Sequence, residues 1–104
     1  SVTSYLRNDP GVAEWMRLQV RDDVLAREVA ERLIARGFPE ARLEEDWLFG
    51  WEVDGAGFSI DVDADMGTVT LSGFVPSAVD EERAIRIARL TPGVRSVRSE
   101  LTRD

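Results

Sequence analysis

The sequence predicts an α+β domain of two layers, with helices packed on one face of a small mixed sheet. Three observations carry this. Leu25, Val29 and Leu33 recur at helical spacing, with Ala26, Ala30 and Ile34 beside them. Apolar residues then alternate with polar ones in two neighbouring stretches, Phe58-Ile60-Val62 and Val69-Leu71, separated by the turn-forming Asp65-Met66-Gly67. A helix-like segment and a final strand-like segment follow, so a strand–helix–strand unit closes the chain. Such a unit crosses over right-handed and places its strands parallel.

Taken in order, residues 1–9 read as a loose lead-in. Asp9-Pro10 is a helix start, a cap followed by proline at the first helical position. A short helix over about residues 10–20 would present Val12, Trp15 and Met16. Asp22 or Asp23 can cap a second helix running to about Arg36, with Arg27, Glu28, Glu31 and Arg32 on its wet side. No breaker stands between the two, so they can also form one long helix. Gly37 and Pro39 end it. Trp47, Phe49 and Trp51 alternate, which suggests an additional strand around residues 47–53. Asp54-Gly55-Ala56-Gly57 is a turn, and the strand over Phe58–Val62 has one wet face. In the next strand Gly73 interrupts the apolar face, which suggests close packing by a helix. Ser77 with Asp80 three residues on resembles a capping box and opens a helix with Ala84, Ile87, Ala88 and Leu90 on its apolar side. Pro92-Gly93 stops it. The last strand, Val94 to Leu101, carries Val97 and Leu101 inward. The expected sheet has three strands, or four with the segment at 47–53. The expected division is a helical extension over residues 1–21 and a folded domain over 22–104.

Composition excludes several function classes. The 104 residues contain no histidine and no cysteine. The usual general base, the usual zinc ligands and any thiol nucleophile are therefore missing, along with every Ser–His–Asp or Cys–His arrangement. Twenty acidic residues oppose 13 basic ones, for a net charge of −7. That balance disfavours nucleic acid as a partner and simple polybasic docking on anionic lipid. All the basic residues are arginine. No apolar run reaches the roughly 20 residues that span a bilayer, no signal peptide is visible, and the chain reads as a piece of a longer protein.

The remaining signals point to binding. Gly67-Thr68-Val69-Thr70-Leu71-Ser72-Gly73, Val75, the stretch from Glu82 to Ala88, and Pro92-Gly93-Val94 with Val97 and Leu101 resemble the BON domain family. Asp23, Leu25, Val29 and Leu33 are similar to that family's first helix, so the resemblance covers about residues 22–102. It implies an αββαβ fold. It also implies a non-enzymatic module of the bacterial envelope, periplasmic or membrane-associated with a cytoplasmic place left open, connected with osmotic stress or transport. The implied partner is a phospholipid surface or an envelope protein; the rival readings are a homo-oligomerisation or assembly domain and a potassium sensor. No catalytic residue, cofactor or metal ligand is implied. Residues 38–57 are longer than the family's usual acidic loop and carry the aromatics.

The candidate lipid- or partner-binding residues are therefore Trp47, Phe49, Trp51 and Phe74, with a core role as the competing reading for the first three. Gly67, Gly73 and Gly93 are the motif glycines, read as structural: a positive-φ turn at Gly67 and close packing at Gly73. Asp61, Asp63 and Asp65 imitate the start of a calcium loop, but glycine falls at the seventh place and Ser72 at the twelfth, so no metal site is assigned. Asp80-Glu81-Glu82 sit where a helix dipole favours acids. Arg83, Arg86, Arg89, Arg95 and Arg98 could face phosphates or pair with those acids, and are read first as a solvated face.

Overall fold

A computed structural model describes residues 10–46 and 50–103, with residues 10–20 as backbone alone. A single helix, α1, spans Pro10–Arg36. The two expected helices are thus one, as the absence of a breaker allows. Five strands and a second helix follow: β1 (Arg42–Asp46), β2 (Gly50–Gly55), β3 (Phe58–Asp65), β4 (Thr68–Val75), α2 (Ala78–Arg89) and β5 (Ser96–Arg103). The strands lie in sequence order in one sheet. All pairings are antiparallel except β4 with β5, which are parallel and joined by α2.

The α+β class and the single helical layer hold, while the strand count rises to five. The addition missed by sequence is β1, Arg-Leu-Glu-Glu-Asp, which has one apolar residue and so no visible alternation. It is an edge strand whose Leu43 pairs with Val53 and leans on the core. Its charges also blunt an exposed edge.

Both helices cover one face. α1 crosses β2 and β3, and α2 lies over β4 and β5. The core between the layers holds Val29, Ala30 and Leu33 from α1, Val53, Ile60, Val62, Val69, Leu71 and Val75 from the sheet, and Ala84 and Ala88 from α2, all buried. Alanines on both helices let them approach the sheet closely. Ser77 caps α2 as expected: its hydroxyl accepts from the Asp80 N–H at 3.4 Å and donates to the Asp80 carboxylate at 2.7 Å. Glu81 then ties α2 to β5, pairing with Arg103 at 3.2 Å and accepting from Ser99 Oγ at 2.8 Å.

Gly73 needs a correction. No helix presses on it. Its φ is +106°, and a Cβ there would run into the carbonyl of Ser59 on the neighbouring strand. The strand partner, not the helix layer, demands glycine.

With 27 residues α1 is about 40 Å long, against about 27 Å for the eight-residue strands. Its C-terminal end sits beside the β2–β3 turn, where Phe38 packs on Phe58 at 5.0 Å. The helix therefore runs past the sheet at the opposite end, where the β3–β4 turn lies.

Candidate binding surface

That opposite end of the sheet collects the features that sequence and packing leave unexplained. The β3–β4 turn has positive φ at both central residues, +51° at Met66 and +88° at Gly67. This is the backbone of a type I′ turn, for which Asn-Gly is the easiest sequence. Gly67 fits; Met66 does not, and a side chain held there costs about 1–2 kcal/mol. The Met66 N–H donates to Asp22 Oδ1 at 2.9 Å, so α1 clamps the turn. Gly67 in turn accepts from the Arg95 N–H at 2.8 Å, which fixes the α2–β5 connection to the same turn.

Between α1, this turn and that connection lies a groove of about 570 Å³, within the size range of small-molecule sites. α1 contributes Arg21, Val24, Leu25 and Glu28, which share one helical face. Met66 and Gly67 form the second wall, Gly93 and Arg95 the third. Val24 and Met66 are 56% and 61% exposed, among the most exposed large apolar side chains of the described residues. Two of the three motif glycines shape this groove. A Cβ on Gly67 would press on Arg95, and one on Gly93 would lie 3.3 Å from Leu25.

The carboxylates near the groove are engaged: Asp22 by the Met66 N–H, and Glu28 by Arg32 at 3.9 Å. The arginines are not. Among the described residues neither Arg21 nor Arg95 has a carboxylate within ion-pair distance. Of the other arginines singled out by sequence, Arg83 pairs with Asp80 and Arg98 with Glu100. Arg86 and Arg89, exposed on the outer side of α2, have no ion pair among the described residues.

The expected aromatics do not form one patch. Trp47 and Phe49 lie outside the described residues; their neighbours Asp46 and Gly50 pair with each other at the grooved end of the sheet. Trp51 is half-buried on the helix-covered face. Its indole N–H donates to Asp23 Oδ1 at 3.2 Å, and the Arg27 guanidinium lies 5.3 Å from its ring centroid. It joins α1 to β2. Phe74 is 48% exposed, but on the opposite, uncovered face and towards the other end, across from Ser59 and Thr102.

That uncovered face is acidic. Glu44, Glu52 and Asp61 stand opposite one another on β1, β2 and β3. Burial pushes the Asp61 carboxyl above its ordinary range, and the charges of Glu52 and Asp46 add to this. Asp63 is raised as well, first by burial, against a lowering hydrogen bond from the Ala64 N–H. Among the described residues no cluster of acids has the arrangement of a metal site.

Sequence reasoning missed Arg21, Val24 and Met66. Val24 stands off the Leu25-Val29-Leu33 stripe, and that displacement was the available signal. The second available signal was a methionine where a type I′ turn favours asparagine.

An open-faced sheet with two helices and an amphipathic groove at one end has the form of a small binding module. The family description "BON domain" matches residues 48–103, just over half of the 104-residue chain, and the chain belongs to the BON domain family. The match begins after α1 and β1, so the resemblance of α1 to the family's first helix lies outside it. No curated protein matches the chain. The family consists of non-catalytic binding domains associated with the cell envelope or membrane. Among the described residues no helix is long and apolar enough to cross a membrane.

Proposed function

We propose that this domain is a non-enzymatic module that docks reversibly on a phospholipid surface through the grooved end of its sheet. The observation that carries the reading is the strained, exposed Met66 beside exposed Val24, flanked by Arg21 and Arg95, which have no ion-pair partner among the described residues. Backbone strain persists where something compensates for it, and it concentrates at functional sites. Apolar side chains ringed by guanidiniums suit the boundary between acyl chains and phosphates.

The energetics are modest. Sinking two half-exposed apolar side chains yields about 2 kcal/mol, and two arginines near phosphates add about 1 kcal/mol each. The sum, about 4 kcal/mol, corresponds to millimolar-scale affinity. Docking of that strength is reversible and is suited to a domain held near the membrane by other means. The acidic sheet face is repelled by anionic headgroups, which orients the grooved end towards the surface.

The reading is tested by co-sedimentation with zwitterionic and anionic phospholipid vesicles at millimolar lipid. Pelleting that is lost in a Val24→Asp/Met66→Asp protein of unchanged circular dichroism supports it. Pelleting that survives the double substitution, or no pelleting with either vesicle, overturns it. Trp47→Ala and Phe49→Ala proteins, assayed in parallel, show whether the aromatics expected from sequence add to the same surface.

A further inference from the structure

The groove offers more than a contact edge. A flat docking surface needs exposed apolar tips and cations, but no concavity. Here α1 stands off two connections that are tied together by the Arg95–Gly67 hydrogen bond, and the space between them is kept open where Gly67 and Gly93 lack side chains. Its walls are apolar along Val24, Leu25 and Met66. Its charged groups divide in two: Asp22 accepts from the Met66 N–H and Glu28 lies within ion-pair distance of Arg32, whereas the guanidiniums of Arg21 and Arg95 have no partner among the described residues. What such a groove lacks is a negative head joined to an apolar tail.

We propose that the groove binds one molecule of a monomeric, single-chain anionic amphiphile, such as an alkyl or monoacyl phosphate. The chain lies along Val24, Leu25 and Met66, and the head pairs with Arg21 and Arg95. Guanidiniums suit phosphate oxygens because their N–H groups form parallel hydrogen bonds to them. The inference deepens the docking reading, since it uses the same end of the sheet, but it concerns a dissolved single molecule and not a bilayer.

Met66 supplies the sharpest test. Replacing it with asparagine gives the turn its preferred Asn-Gly pair, so Met66→Asn protein should be at least as stable as the parent while losing one wall of the groove. The experiment titrates the full chain with decyl phosphate below its micelle concentration, following amide shifts by NMR and stoichiometry by calorimetry. Inorganic phosphate and decyl maltoside serve as head-only and neutral-chain probes. The expected result is saturation at one decyl phosphate per chain, with shifts centred on residues 21–28, 66–67 and 93–95. Inorganic phosphate and decyl maltoside should each bind at least tenfold more weakly. Affinity should fall at least tenfold in Arg21→Gln/Arg95→Gln and in Met66→Asn. Equal binding of decyl maltoside, equal binding of inorganic phosphate, or full affinity in stable Met66→Asn protein overturns the proposal. Vesicle pelleting without decyl phosphate binding overturns this inference and leaves docking standing; decyl phosphate binding without pelleting does the reverse.

Discussion

Replacing Gly73 with alanine should be among the most damaging single-methyl additions in the described fold, and the cost can be worked from geometry. At φ +106° an L side chain is strained whatever space surrounds it, a cost of about 1–3 kcal/mol. The added Cβ also meets the Ser59 carbonyl, so β3 and β4 must separate where Ile60 pairs with Gly73. Overpacking of that kind costs about 1–3 kcal/mol more. Gly57 provides the control. Its φ is +83°, yet nothing lies within 4 Å of a Cβ built there, so Gly57→Ala should cost only the strain, about 1–2 kcal/mol. Urea unfolding of the three proteins reads both values from the midpoint shifts at constant slope. The expected order is parent, Gly57→Ala, then Gly73→Ala, with about 2 kcal/mol between the last two. Equal losses in the two variants would refute the strand-contact account of Gly73.

Smaller effects are expected elsewhere. The raised Asp61 pKa means that its ionised form opposes folding at neutral pH. The stabilisation gained by protonation is complete below the ordinary value of 3.8 and is lost as pH rises through the folded-state value. Asp61→Asn should therefore stabilise the protein at pH 7 by up to about 1 kcal/mol, with the advantage shrinking as thermal melts are taken towards pH 4. Ser77→Ala removes the α2 cap and should cost about 1 kcal/mol in urea unfolding. Trp51→Phe removes the bond to Asp23 and weakens the stacking of Arg27; a loss of about 1 kcal/mol is expected by the same assay, and a loss below about 0.3 kcal/mol would count against Trp51 as a joint between α1 and β2.

The parts of the fold legible in the sequence were those with strong periodicity. The stripe Leu25-Val29-Leu33 buries Val29 and Leu33 fully and Leu25 partly, and the alternations through Ile60 and Leu71 place those residues in the core. The Ser77 cap and the Pro92-Gly93 stop were equally plain, because each acts through local geometry. Strand β1 was hidden because an edge strand buries little and needs no apolar run. Gly73 was assigned to the right class, close approach, but to the wrong neighbour, since sequence cannot tell a carbonyl across the sheet from a helix above it. The binding surface was the least legible. Single apolar residues such as Val24 and Met66 become a surface only when α1 and the β3–β4 turn meet, across 44 residues of chain at the Asp22–Met66 bond. The aromatics drew attention by type, yet Trp51 and Phe74 ended on opposite faces of the sheet.

The proposed docking has the grooved end of the sheet, and not its open face, meet lipid. Amide NMR of the full chain with phospholipid bicelles carrying a spin-labelled lipid tests this most directly. Line broadening is expected to centre on residues 21–25, 66–67 and 93–95, with the acidic face at Glu44, Glu52 and Asp61 unaffected. Broadening centred on that open face or around Phe74, or none at all, would contradict it.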